Sequence, residues 1–146
     1  MRDRHMPLVD VTQRAEDADV REVLSLLAWT GRAAHLERIV ANYTAGPSRL
    51  LACVEDGCVT GVIGIETEAA GRVVIRHIAV MPPARGRGVG RMLIDGAAAA
   101  LGTGASLIAE TDQDALGFYR ACGFSVLSQG EMYPGVERFL CERSSN

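Results

Sequence analysis

Residues 78–93 read IAVMPPARGRGVGRML, so a strand end, a tight loop and a helix start follow one another directly. An apolar run stops at two prolines, arginines and glycines follow, and an apolar pattern with helical spacing begins at once. The first amides of a helix have no partner within it, and the helix dipole favours an anion beside them. Gly86, Gly88 and Gly90 would let a ligand approach the backbone closely. This stretch therefore predicts a binding site for phosphate or pyrophosphate.

Two common nucleotide motifs do not fit this loop. A P-loop needs a lysine before Ser or Thr, and the chain contains no lysine. A dinucleotide loop needs Gly-x-Gly-x-x-Gly, and neither Gly86 nor Gly88 starts such a run. The pattern that does fit is Arg85-x-x-Gly88-x-Gly90.

The composition limits the class of protein. The chain has 146 residues, 48% of them hydrophobic, which suits a single domain (1–146) with a sizeable core. The formal net charge of −3 argues against a nucleic-acid-binding surface. No apolar run approaches the ~20 residues of a membrane helix, and the basic start of the chain lacks the apolar core of a signal peptide. We expect a cytoplasmic protein that binds neither nucleic acid nor membrane.

The four cysteines carry no metal-site or disulfide signature. They lie in apolar runs without Cys-x-x-Cys spacing, at Cys53, Cys58, Cys122 and Cys141. We expect buried free thiols and no metal site.

The periodicity predicts an α/β fold that starts with an antiparallel meander. A short strand at 7–11 precedes helices at 17–28 and 32–42, and strands follow at 50–54, 59–65 and 73–80. The Asp56-Gly57 pair is a hairpin signal between the first two of those three strands.

The second half of the chain predicts one βαβ unit. A helix at 89–101 leads to a short buried strand at 107–109, parallel to strand 73–80. Asp112 or Asp114 caps a further helix that ends near Gly123. Strands at 124–127 and 136–141 close the chain, with 128–135 as a loop. The result is a mixed, mostly antiparallel sheet with helices on both faces.

A second motif lies in register behind the arginine–glycine loop, Asp112-x-x-Ala115-x-x-Phe118-Tyr119-x-x-x-Gly123-Phe124. With both motifs the chain resembles the GNAT superfamily of acetyl-CoA-dependent N-acetyltransferases. Their pyrophosphate motif is Gln/Arg-x-x-Gly-x-Gly/Ala, and a segment Asn-x-x-Ala-x-x-Leu/Phe-Tyr-x-x-x-Gly-Phe follows it. The resemblance covers residues 72–128 by motif and the flanks by the order of elements.

The resemblance implies transfer of an acetyl group from acetyl-CoA to a primary amine of a small molecule or peptide, by direct attack. Amides of the loop would hold the pyrophosphate, and the backbones of Ile78 and Val80 would pair with the pantetheine arm. The sheet must then splay between strand 73–80 and strand 107–109. The Val80 amide would donate to the thioester oxygen. The implied acetyl-CoA-binding residues are Ile78, Ala79, Val80, Arg85, Gly86, Arg87, Gly88, Val89, Gly90, Arg91 and Asp112.

By the same resemblance, Tyr119 is the general acid that supports the departing thiolate. A phenol is a weaker acid than a thiol, so this role is mainly a strengthening hydrogen bond. Asp112 replaces the family's usual Asn and lacks its amide donor.

The general base and the acceptor site stay open. Val74 occupies the position where some family members carry a strand Glu, and the candidates are Glu66, Glu68, Glu110 and His77. Strand alternation predicts that His77 points away from the face of Arg76 and Ile78. The acceptor would lie between the first two helices and 128–135, near Trp29, His35, Glu131 and Tyr133.

Two other functions remain compatible with the sequence: a CoA-binding sensor or regulatory module without catalysis, and an interaction domain without a ligand. Dimers are common in this family, so a homodimer is compatible too, although no exposed apolar stripe requires one. The sequence names neither the acceptor amine nor the range of acyl groups.

Overall fold

One sheet of seven strands runs through the residues that the computed structural model describes, 8–28, 33–69, 71–102 and 104–145. The strands are β1 (Val9–Asp10), β2 (Arg49–Glu55), β3 (Cys58–Ala69), β4 (Arg72–Val80), β5 (Ala105–Thr111), β6 (Ser125–Tyr133) and β7 (Val136–Ser145). The helices are α1 (Ala18–Ser25), α2 (Ala33–Thr44), α3 (Val89–Leu101) and α4 (Leu116–Ala121). The strands lie in the order β1-β2-β3-β4-β5-β7-β6.

The predicted fold class is confirmed. β4 and β5 pair in parallel, and every other strand pair of this sheet is antiparallel. Asp56 and Gly57 form the predicted two-residue hairpin turn, both with positive φ. The predicted limits of α3 coincide with those observed. Helices cover both faces, since α1 and α2 pack on one and α3 and α4 on the other.

Each face of the sheet has its own hydrophobic core. On the first face, side chains of α1 and α2 such as Val20, Leu24 and Tyr43 pack against β2 and β3. On the second face, the apolar side of α3 packs under β3, β4 and β5, and α4 contributes Leu116 and Tyr119. The sheet is thereby fixed between two layers.

The expectations for residues 128–135 and for Cys58 were wrong. Residues 128–135 are mostly strand, since β6 continues to Tyr133 and only residues 134 and 135 form the turn. The small and polar residues of this segment are typical of a loop. In the structure, however, pairing with β7 satisfies their backbone hydrogen bonds, and two bulges interrupt the register. Cys58 is exposed because it follows the hairpin turn, whereas Cys53, Cys122 and Cys141 are buried free thiols as predicted.

A β-bulge at Arg76 changes which side chains share a face of β4. Gly64 of β3 pairs with His77 and Ile65 pairs with Ile75, so Arg76 has no counterpart on β3. Arg76 then bonds to Glu66 and His77 to Tyr43, both on the α1–α2 face. The expectation that His77 points away from the face of Arg76 was therefore wrong, because simple alternation ignores the extra residue.

The predicted splay of the sheet is confirmed at β4 and β5. Their parallel pairing covers three residue pairs and ends at Val74 and Ile108. Of the remaining residues of β4, Ile75 and residues 77–80 pair with β3 alone among the described strands, and Arg76 is the bulge. A cleft therefore opens inside the sheet rather than at its outer edge.

Among the described residues, no helix is both long and apolar enough to cross a membrane.

The contact between Gly64 and Tyr43 fixes α2 on β3. A Cβ built on Gly64 would lie 1.7 Å from the Tyr43 hydroxyl oxygen, and Tyr43 is almost fully buried. Only a shift of the Tyr43 ring or of α2 would remove that overlap. Glycine is therefore required at this position by the close approach of a buried side chain.

We expect Gly64→Ala to lower the free energy of unfolding by about 2 kcal/mol or more, because overpacking of a tight core costs about 1–3 kcal/mol. Urea denaturation measures the change. Gly117→Ala is the matched control, since nothing lies within 4 Å of a Cβ there, and should be neutral or slightly stabilising. Equal effects of the two substitutions would contradict the contact.

Candidate active site

The edge of β4 that faces the cleft carries backbone N–H and C=O groups that pair with no strand among the described residues. The Met81 amide donates to the Thr60 carbonyl at 2.8 Å, so Met81 faces β3. Alternate residues of an antiparallel strand face the same neighbour, so Ala79 also turns its backbone groups to β3. Ile78 and Val80 consequently turn theirs towards β5, where the parallel pairing has already ended. Their amides are donors aimed into the cleft.

The side chain of Arg85 occupies the last carbonyl group of this edge. Its Nε donates to the Val80 carbonyl at 3.0 Å. The groups left for a ligand are thus the two amides of Ile78 and Val80 and the carbonyl of Ile78. An extended amide-bearing chain could pair with them as an added strand.

The loop after β4 presents a row of backbone amides. Gly86 and Gly88 have φ of 78° and 84°, a region that favours glycine, and a Cβ at either position would meet no atom within 4 Å. Gly88 is the N-cap of α3 and offers no capping side chain. Among the described residues, the amides of 86–91 donate to no backbone carbonyl. The loop is an open set of donors in front of the α3 dipole, as an anion requires.

Two adjoining cavities, of about 340 and 290 Å³, join the β4 edge to this loop. Both are lined by Val80, Arg85, Gly90 and Phe118. The first cavity adds residues of β4 and of the end of α1: Ile78, Ala79, Leu26 and Leu27. The second adds the loop and the end of α4: Ala84, Gly86, Gly88, Val89, Arg91, Ala121 and Cys122. The predicted pantetheine and pyrophosphate sites therefore lie side by side.

Phe118 was not among the predicted site residues, although it lines both cavities. A Cβ on Gly90 would lie 2.8 Å from its ring, so Gly90 admits the Phe118 side chain as well as a ligand. The signal was present in the sequence, because Phe118 precedes Tyr119 in the second motif.

The three loop arginines are all engaged by protein groups. Arg85 contacts the Val80 carbonyl, Arg91 Nη1 donates to the Ala121 carbonyl at 2.7 Å, and Arg87 Nη2 donates to Glu55 at 2.5 Å. Arg91 thus satisfies the C-terminal end of α4 rather than reaching freely into the cleft. The arginines hold the loop in place, and the amides remain as its open donors.

Asp112 and Val89 are held by local contacts. The Asp112 carboxylate accepts from the Asp114 amide at 3.0 Å and so caps the 3-10 turn before α4, whereas α4 itself begins after Ala115 and has no side-chain cap, so the predicted cap lies one turn earlier than expected. Asp112 lines neither cavity described above. The side chain of Val89 is buried in the core beside α3, so only its backbone can serve the loop.

Tyr119 lies in the core of the α3–α4 face and lines neither cavity. It is 6% exposed, with edge-on rings of Phe118 and Phe124 on either side. Burial raises the pKa of Tyr119 to about 12, and the nearby Cys141 and Cys122 thiols add to that rise. A phenol with this pKa keeps its proton near neutrality, so it can donate a hydrogen bond but is a poor source of a whole proton.

His77 is held by Tyr43. Burial raises the pKa of Tyr43, so its hydroxyl stays protonated, and we assign that hydroxyl as the donor to His77 Nδ1. The neutral imidazole then carries its proton on Nε2. Burial lowers the pKa of His77, and the charges of Arg76 and His35 lower it further. Neither ring nitrogen is a ready proton acceptor in this arrangement.

Two of the three candidate carboxylates are engaged by arginines. Glu66 Oε1 accepts from Ser48 Oγ at 3.1 Å and from Arg76 Nε at 3.0 Å. Glu68 accepts from Arg72 Nε at 3.2 Å. Each carboxylate is therefore held by an arginine, which directs its oxygens to that partner and not to a substrate.

Glu110 differs in both position and environment. It is exposed and forms no ion pair within the described part of the chain. It follows Ile108, the last residue of β5 that pairs with β4, by two positions. Since Ala109 points into the core on the α3–α4 face, Glu110 points to the opposite face, beside the mouth of the cleft.

The predicted acceptor residues are dispersed. His35 is half-buried on α2, while Glu131 and Tyr133 are exposed on β6, at the hairpin with β7. Trp29 lies outside the described residues. The sequence grouped these four by family analogy alone.

The model of the acetyltransferase (GNAT) domain family matches residues 46–126, more than half of the chain, and this protein belongs to that family. Members use acetyl-CoA as the acyl donor. A comparison with curated proteins finds no match.

Solved structures confirm the fold. A protein of Desulfovibrio desulfuricans assigned to the GNAT family superposes with a TM-score of 0.76 at 20% identity, over 95% of this chain and 98% of its own. An aminoglycoside 6'-N-acetyltransferase in complex with coenzyme A gives 0.75 at 12%, over 97% and 98%. A Bacillus anthracis protein described as a streptothricin acetyltransferase, in complex with acetyl coenzyme A, gives 0.60 at 21%, over 68% and 64%.

Proposed function

We propose that the protein transfers the acetyl group of acetyl-CoA to a primary amine of a small molecule or peptide, by direct attack of the amine. The observation that carries the proposal is the free edge of β4, whose two open amides lead into the open amides of the α3 loop. Acetyl-CoA supplies an activated acyl group as a thioester.

The loop and β4 have separate tasks in this proposal. The amides of 86–91 hold the pyrophosphate, and the α3 dipole stabilises its charge. Val80 lies next to that loop and pairs with the pantetheine arm. Ile78 lies two residues, about 7 Å, further along the strand. We therefore assign the donor to the thioester oxygen to Ile78 rather than to Val80.

The proposed hydrogen-bond donor to the leaving sulfur and the proposed general base lie on opposite faces of the sheet. Tyr119 belongs to the α4 face, and its hydroxyl donates to the sulfur as that atom gains charge. Glu110 points to the other face, from which an amine can approach. It accepts a proton from the substrate's ammonium group before attack or from the amine as it attacks, directly or through one water. The C–N bond forms, the C–S bond breaks, and CoA leaves as the thiolate. The raised pKa of Tyr119 supports its role as a hydrogen-bond donor.

Two measurements separate this function from its alternatives. Acetyl-CoA should raise the thermal unfolding midpoint, which an interaction domain without a ligand does not predict. Release of CoA across a panel of amines then separates an enzyme from a CoA-binding module. A panel without turnover, together with tight CoA binding, would favour the module.

We expect Glu110→Gln to lower kcat/KM about 100-fold at neutral pH, since general-base catalysis contributes about 10²–10⁴-fold. CoA-release assays measure this effect, and the acidic limb of the pH–rate profile should weaken. Glu142→Gln is the control, because Glu142 is an exposed carboxylate of β7 that is paired in register with Ile108. Full activity of Glu110→Gln would contradict the assignment.

Tyr119→Phe should lower kcat about 10- to 100-fold and leave the dissociation constant of CoA unchanged. A hydrogen bond to a group that becomes charged contributes about 1.5–3 kcal/mol, whereas the ring still fills its place in the core. Steady-state kinetics and calorimetry measure the two quantities. A loss of CoA affinity without a change in kcat would show that Tyr119 only shapes the site.

A further inference from the structure

The loop arginines differ in the charge of their partners. Arg85 and Arg91 donate to neutral backbone carbonyls, which leave the positive charge of each guanidinium uncompensated. Arg87 instead forms an ion pair with Glu55, with 2.5 Å between Nη2 and Oε1. Within the described ranges, Glu55 is the carboxylate that ion-pairs with this loop.

The position of Glu55 places the Glu55–Arg87 ion pair at the loop after β4. Glu55 is the last residue of β2, before the Asp56-Gly57 turn, where pairing with Cys58 fixes its backbone. Arg87 lies between Gly86 and Gly88, inside the row of open amides. Its side chain is 56% exposed and that of Glu55 is 28% exposed. The arginine is therefore the more accessible partner, and its other guanidinium nitrogens remain available.

We propose that Glu55 is a built-in anionic competitor that weakens the binding of CoA and speeds its release. The proposal rests on the proposed function, because it takes the loop to be the CoA phosphate site. Arg87 and Glu55 line neither cavity, so the Glu55 charge acts from beside the loop: it neutralises the Arg87 charge next to the open amides and repels a phosphate bound there. An exposed ion pair contributes up to about 1 kcal/mol, so the competition corresponds to an effect of up to about fivefold.

The opposite role for Glu55 is to orient Arg87 towards the ligand. Glu55→Gln distinguishes the two roles, because glutamine keeps the oxygen that accepts from Arg87 and removes only the charge. Competition predicts tighter CoA binding by this variant. Orientation predicts unchanged or weaker binding.

Isothermal titration calorimetry with CoA and with dephospho-CoA tests the proposal. We expect Glu55→Gln to lower the dissociation constant of CoA about two- to fivefold, and the gain should shrink in 0.5 M salt. In an Arg87→Gln background the gain should also shrink, because the competition acts through that side chain. If Glu55→Gln gains as much affinity for dephospho-CoA as for CoA, the competition acts on the pyrophosphate. If it gains less affinity for dephospho-CoA, the competition acts on the 3'-phosphate.

Glu37→Gln is the matched control. It removes the same charge and breaks an ion pair with Arg21 on the α1–α2 layer, away from the loop. An equal gain in the control, or no gain in Glu55→Gln, overturns the proposal. Wild-type protein that binds no CoA would instead overturn the proposed function, which keeps the two failures distinct.

Discussion

The separation of β4 from β5 is the constraint on which the rest of this structure depends. Three residue pairs join the two strands, and the bulge at Arg76 then bends β4 where the pairing has just ended. A strand edge buried within a sheet would leave unpaired polar groups, which cost about 1–3 kcal/mol each. The cleft avoids that cost by keeping these groups accessible, and so creates a place for an extended ligand.

The order of elements around the cleft follows from this separation. β4 leads directly into the loop and α3, so a ligand that pairs with the strand also reaches the helix N-terminus. Meanwhile α4 packs on the second face and contributes Tyr119 to its core, and β5 carries Glu110 past the point where it separates from β4. In the proposed function the loop binds the pyrophosphate mainly through backbone amides, because its arginines are already engaged in holding the loop or in pairing with Glu55.

Local signals were sufficient for much of the fold and for the place of the arginine–glycine loop between β4 and α3. The limits of α3 follow from the glycines that flank it, and the hairpin at Asp56-Gly57 from a turn with strict backbone demands. The extent of β6 could not be predicted, because exposed small and polar residues there become a strand only through pairing with β7. The bulge at Arg76 depends on register with β3, which no local pattern encodes.

The ion pair of Glu55 and the ranking of the candidate bases depend on contacts between residues far apart in the sequence, so local patterns could not predict them. Glu55 and Arg87 are 32 residues apart, and nothing near either one predicts their ion pair. Three of the four candidate bases are glutamates, and the sequence alone did not rank them against each other or against His77. Only their surroundings distinguish them, since Tyr43 holds His77 and arginines hold Glu66 and Glu68, while Glu110 stays open beside the cleft.

Amide hydrogen exchange along β4 tests the central claim most directly. In the free protein the amides of Ile78 and Val80 should exchange much faster than those of Ala79 and His77, which face β3. Saturation with CoA should slow exchange at Ile78 and Val80 by tenfold or more and leave Ala79 and His77 little changed. Equal protection of all four amides without CoA, or no response of Ile78 and Val80 to CoA, would contradict the account.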